Sequence, residues 1–184
     1  MLLARLVNDG STWFEAVADP NVNGFNLKPE ALSSFIPSPK DNGWLSLYVI
    51  DEIDDEELIA AALAYNRGTI EASHFVAADS SLLEAKGLKI QKTIGETFHS
   101  GVNNKHYELH IPDAETLLKA VEIFVAGEYR PVENSRVRER LGQSAVNDNI
   151  DFSLVLANKI NGNVATRTLE MVKEKYLKLN PGDA

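Results

Sequence analysis

The stretch that decides the fold is "WLSLYVI" at 44–50, followed after a short acidic run by "DDEELIAAALAYNRG" at 54–68. The first seven residues are aromatic, β-branched or leucine with a single serine, and Gly43 precedes them. That composition suits a strand buried on both faces. The second stretch changes period. Leu58, Ile59, Ala62 and Leu63 fall on one helical stripe, and an N-cap at Asp54 or Asp55 is expected. Glu56 and Glu57 lie in the first turn, where the positive end of the helix dipole favours carboxylates. Gly68 is placed to end the helix. A strand handing over to an amphipathic helix in this way points to an α+β or α/β protein.

Working outward, "HFVAAD" (74–79) reads as a second buried strand and "SSLLEAKG" (80–87) as a short helix stopped by Gly87. "LKIQKTI" (88–94) and "HYELHI" (106–111) alternate apolar and polar residues, as half-exposed strands do. Between them, "GETFHSGVNNK" (95–105) has loop chemistry. The clearest helix is 113–126: Asp113 caps it, Glu115 sits in its first turn, and Leu117, Leu118, Val121, Phe124 and Val125 share a face. Before Trp44 the chain is loop-rich. It has a weak amphipathic start and a short helix at 27–35 with Pro29 in the first turn, broken by "IPSPKDNG". After "EYRPVEN" (128–134) the pattern weakens. A helical C-terminal part follows, with a charged helix at 135–143 and an amphipathic one at 163–183, in which Leu169, Val172, Tyr176 and Leu179 face inward. The segment 151–160 fits strand or helix. The expected architecture is a single domain over 1–184, with 1–43 loop-rich and 135–184 helical. Its core is a mixed sheet of about four strands (44–50, 74–79, 88–94, 106–111). Two strand–helix–strand passages imply at least one parallel pair, and the 88–111 unit an antiparallel edge.

Composition narrows the function. The 184 residues carry 18 Lys+Arg against 27 Asp+Glu, a net charge of −9. That excess opposes nucleic-acid binding, which needs cations to replace the counterions of the phosphates. It suits a basic protein partner. There is no cysteine, so disulfides, thiol catalysis and cysteine-ligated zinc are excluded. No apolar run reaches the roughly 18 residues of a membrane span. The N-terminus does not read as a signal peptide, which makes the cytosol the expected location.

The chemistry-bearing candidates are few. "NNKHYELHI" (103–111) holds two of the four histidines. On a strand, His106, Glu108 and His110 share one face, while Tyr107, Leu109 and Ile111 share the apolar one. The polar set is then the wet side of the strand, or a functional cluster completed by His99. His106 and His110 would be about 13 Å apart, too far to grip one zinc ion. His74 reads as a neutral, hydrogen-bonded histidine. There is no phosphate-binding loop, dinucleotide fingerprint or nucleophile elbow. No metal site or cofactor is expected, because the acidic run lacks calcium-loop spacing. Arg136 and Arg140 lie on one helical face and could bind an anion. Asp54, Asp55 and Glu56 could meet a basic partner. Trp13, Phe25 and Phe98, in loop contexts, could be exposed anchors. These features lead to the expectation of a non-enzymatic protein that binds another protein. The kind of role is an accessory, inhibitor, antitoxin or immunity component of a bacterial toxin or defence system. A homo-oligomer stays open, and so does a small hydrolase or transferase using His99, His106, Glu108 and His110.

Overall fold

The structure, a computed structural model, describes residues 1–7, 29–52, 54–67, 73–97, 99–146, 170–171, 174–179 and 181–183. Trp13, Phe25 and Phe98 lie outside these residues, as do the segment 151–160 and the start of the expected helix at 163–183. The chain clusters into two compact units. The first comprises Met1–Asp51, His74–Thr93 and His106–Pro131. The second comprises Glu52–Ser73, Ile94–Lys105 and Val132–Ala184.

The first unit is built on a sheet of six strands rather than four, in the order β4-β5-β2-β1-β3-β6. The strands are β1 (Leu2–Val7), β2 (Trp44–Val49), β3 (Ser73–Asp79), β4 (Ile90–Lys92), β5 (His106–His110) and β6 (Glu128–Val132). The four expected strands are all present. The two extra ones escaped the pattern for physical reasons. β1, "LLARLV", is central, yet Arg5 interrupts its apolar run. Its guanidinium is accommodated by donating to the carbonyls of Ser46 (3.0 Å) and Ser34 (3.4 Å). β6 contains Pro131, which a sheet tolerates only at an edge, and β6 is an edge.

The expected parallel pair is absent from the determined registers: β1–β2, β1–β3, β2–β5 and β4–β5 are all antiparallel. The reason is β1. The passage from β2 to β3 does return the chain in the same direction, but β1 lies between those strands and opposes both.

One sheet face carries the core. Leu3, Leu45, Leu47, Val49, Val76, Ala78 and Leu109 meet helices α1 (Pro29–Ser34), α3 (Ser80–Ala85) and α5 (Ala114–Val125). Those helices contribute Ala31, Leu83, Ala120, Val121 and Phe124, with Phe35 just beyond α1 tilted against Phe124 at 5.0 Å. Leu118 was expected in this core and is not there: it is 45% exposed, while its neighbour Leu117 packs as expected. The rest of the expected stripe of α5, Leu117, Val121, Phe124 and Val125, does face the core. Asp113 caps α5 by accepting from the Thr116 N–H (2.8 Å), and Asp79 caps α3 through Ser81. Gly127 is required by close approach, since a Cβ there would lie 2.1 Å from the Ala77 carbonyl oxygen.

The second unit is helical among its described residues. Helix α2 (Asp55–Arg67) buries Ile59, Ala60, Ala61, Ala62 and Ala64. It packs with α6 (Asn134–Val146), which buries Val137 and Leu141. Four alanines in one turn and a half allow the two backbones to come close. A short helix, α4 (Ser100–Asn103), completes the unit with helical residues at 174–179. Tyr176 lies against α6, where a Cβ on Gly142 would come within 2.6 Å of the Tyr176 Cβ. Leu179, expected to face inward, is exposed.

Candidate functional site

Register places the histidines of β5. His106 lies opposite Tyr48, Glu108 opposite Ser46 and His110 opposite Trp44. On its other side β5 pairs with β4, setting Gln91 beside Glu108. Residues directly opposite in an antiparallel pair share a face. One face of β4–β5–β2 therefore presents Gln91, His106, Glu108, His110, Trp44, Ser46 and Tyr48.

This face is not uniformly wet, which corrects the expectation for His106. That residue is only 7% exposed. Its Nδ1 is 2.7 Å from the Thr93 hydroxyl, and its ring meets the edge of Tyr48 at 5.2 Å. The same face is buried further along the sheet, at Ala4, Phe75 and Ala77. Alternation along β5 identified which side chains share a face, but not what lies over that face.

Glu108 and His110 are half-buried. Glu108 accepts from the Gln91 side-chain amide (3.0 Å), and His110 stacks on Trp44 at 4.5 Å between centroids. The Lys89 ammonium sits 5.1 Å from the centre of the Trp44 ring, a cation–π distance. The apolar partner set behaves as expected at Leu109 and Ile111, which are buried, while Tyr107 packs partly against the core.

His99 belongs to the second unit. It caps α4 by accepting from the Val102 N–H (3.4 Å). It lies in a small buried polar knot: the Asn103 side chain receives the Thr97 N–H (2.7 Å) and hydroxyl (2.8 Å) and returns an N–H to the Thr97 carbonyl (2.9 Å). Burial pushes the His99 imidazole below its ordinary value, against an opposing backbone hydrogen bond. His74 is hydrogen-bonded, as expected, with Nδ1 2.5 Å from the Tyr129 hydroxyl and the two rings stacked.

The charged candidates of the second unit are engaged with one another. Arg140 pairs with Asp54 and with Glu57 (3.2 Å). Arg136 pairs with Glu57 (3.1 Å) and Glu139 (3.1 Å), and these carboxylates hold its guanidinium proton more tightly than usual. Asp55 is buried. Its carboxylate receives the Lys105 ammonium (2.7 Å) and the Glu52 N–H (2.9 Å). Glu56 is buried as well. The first helical bond of α2, from Leu58 N–H, goes to the Asp54 carbonyl (3.1 Å). Acidic run and arginine pair, two separate candidates in the sequence, thus form a single ion-pair network that fastens α6 to the start of α2.

Sequence reasoning passed over one charged group. Lys86, Lys89 and Lys92 are all exposed, and they follow one another at three-residue spacing within an acidic chain. That spacing was the available signal.

Among the described residues, no three of His, Asp and Glu gather to hold a metal ion, and no helix is long and apolar enough to cross a membrane. No protein-family model matches the chain, and no curated protein and no solved structure matches it.

Proposed function

We propose that this protein acts by binding another protein, in the manner of an accessory or inhibitory component such as an antitoxin or immunity factor. The observation that carries this reading is the outer surface of the helices over the sheet. Ile36, just after α1, is 58% exposed, Leu82 on α3 54% and Leu118 on α5 45%. These are large aliphatic side chains on elements that pack together, with α5 touching both α1 and α3. Large apolar side chains gathered on one surface are what a protein partner covers. The net charge of −9 adds long-range attraction toward a basic partner. That attraction comes from acidity spread over the chain, because Asp54, Asp55 and Glu57 are already paired with Lys105, Arg136 and Arg140.

The test is affinity capture from the native host with the wild-type chain and with a Leu82→Asp/Leu118→Asp variant, at low and high salt. Both substituted positions are exposed, so the variant should keep the wild-type circular dichroism and melting temperature. A partner retained by the wild type and lost by the variant, with capture weakening as salt rises, is the expected result. A partner captured equally by both would end this reading of the helical surface.

A further inference from the structure

The two edges of the sheet differ, and the difference points to a second binding surface, distinct from the helical one. β6 closes its edge. Pro131 lacks an N–H, and Arg130 is paired with Glu128 (2.7 Å). Among the described residues, no strand pairs with the outer edge of β4. In the β4–β5 register, the Lys89 carbonyl accepts from the His110 N–H (2.9 Å) and the Thr93 N–H donates to the His106 carbonyl (3.2 Å). Hydrogen-bonded and non-hydrogen-bonded positions alternate in an antiparallel pair. The N–H and C=O groups of Lys89, Gln91 and Thr93 therefore point to β5, and those of Ile90 and Lys92 point away from it, to the side where the strand order ends.

The side chains along this edge select the occupant. Lys92 on β4 and Lys86 and Lys89 just before it are exposed; the Lys89 ammonium lies over the Trp44 ring, and among the described residues none of the three enters an ion pair. Lys105, Lys119, Arg130, Arg136, Arg140 and Lys178 are each paired with a carboxylate, while Lys40, Arg138 and Lys175, like the three lysines, enter none of these pairs. Lysines on an edge strand discourage pairing with a like strand. A second copy of this chain would bring the same three lysines against themselves. An acidic strand meets the opposite situation: the open backbone groups give it a ladder, and the lysines compensate its charge.

We propose that the β4 edge binds an extended acidic segment of a partner protein by strand addition, with the backbone of Ile90 and Lys92 forming the ladder and Lys86, Lys89 and Lys92 neutralising its carboxylates.

The probe is a ten-residue synthetic peptide alternating Val and Glu, titrated into the full chain by isothermal calorimetry. Amide resonances are followed in parallel by NMR. We expect saturable binding with shifts concentrated at Ile90 and Lys92, and at least tenfold weaker binding of the Val/Lys counterpart. Methylating alternate backbone nitrogens of the peptide should abolish binding, a control that leaves the protein untouched. Lys89→Glu/Lys92→Glu should weaken the Glu peptide at least tenfold, whereas Leu82→Asp/Leu118→Asp should leave it unchanged. No binding of the Glu peptide, equal binding of the Lys peptide, indifference to backbone methylation, or loss of binding in the Leu82/Leu118 variant would each overturn the proposal. The last of these separates it from the reading of the helical surface.

Discussion

The two compact units distribute their charges differently. In the helical unit, acidic and basic side chains that are far apart in sequence meet: Asp54 and Glu57 with Arg140, Glu57 with Arg136, Asp55 with Lys105. In the sheet unit, Met1 pairs with Asp79, Lys119 with Glu115 and Arg130 with Glu128, whereas Lys86, Lys89 and Lys92 have no carboxylate among the described residues, and the core is almost wholly apolar. The contrast teaches that a charge run is not a surface patch until its partners are known. Three carboxylates of the most acidic stretch, Asp54, Asp55 and Glu57, are engaged in holding its own helices, while among the described residues Lys86, Lys89 and Lys92 carry no ion pair.

This comparison can be broken first at the apolar core. Phe124 is fully buried against Phe35, so Phe124→Ala should destabilise the protein by about 3–5 kcal/mol in chemical denaturation. A cost under about 1 kcal/mol would mean that α5 does not seal the sheet as described.

The charge contrast is sharpened by removing one lysine from each unit. Lys105→Met removes the ammonium from the Asp55 carboxylate, whose side chain is 5% exposed. Breaking a fully buried pair costs about 3–5 kcal/mol. Lys105 itself is partly solvated, so a loss nearer about 2–3 kcal/mol is expected. Lys92→Met should change stability by less than about 0.5 kcal/mol, as surface substitutions do. Equal effects at the two positions would erase the distinction.

A smaller effect lies in the pH dependence of the helical unit. The folded state holds His99 below its ordinary value, so the unfolded chain binds the proton first as pH falls. Stability is therefore full above about pH 6.5, the unperturbed histidine value, and declines as pH drops through the lowered one. His99→Asn keeps a capping side chain at the start of α4 and removes the titration. Its denaturation midpoint should vary less than that of the wild type between about pH 7 and 5. An unchanged slope would remove His99 from the acid response.

The smallest expected effect tests the phase of α5. Leu118→Ala should cost less than about 0.5 kcal/mol, while Leu117→Ala, whose side chain packs on the core, should cost more. The reverse order would restore Leu118 to the stripe that the sequence suggests.

Much of the architecture is legible without coordinates, because it is local. β2, β3 and β5 announce themselves by apolar or alternating runs. Asp113 and Gly87 mark helix boundaries through their own short-range geometry, Gly87 with a positive φ of 74°. The shared face of His106, Glu108 and His110 follows from the twofold alternation of any strand. The absence of cysteine and the net charge of −9 are likewise properties of composition.

What only the tertiary structure decided depends on residues distant in the chain. β1 is hard to read as a strand because the acceptors for Arg5 come from Ser34 and Ser46. Its insertion between β2 and β3 turns an expected parallel pair into two antiparallel ones. His106 is buried, not wet, because pairing sets it against Tyr48 and Thr93. The acidic run is an ion-pair network because α6 brings two arginines to α2 across about eighty positions of sequence, as the 83-residue separation of Arg140 and Glu57 records. Periodicity reports which side chains share a face of an element. What that face meets is set by long-range packing, whose free energy no local pattern contains.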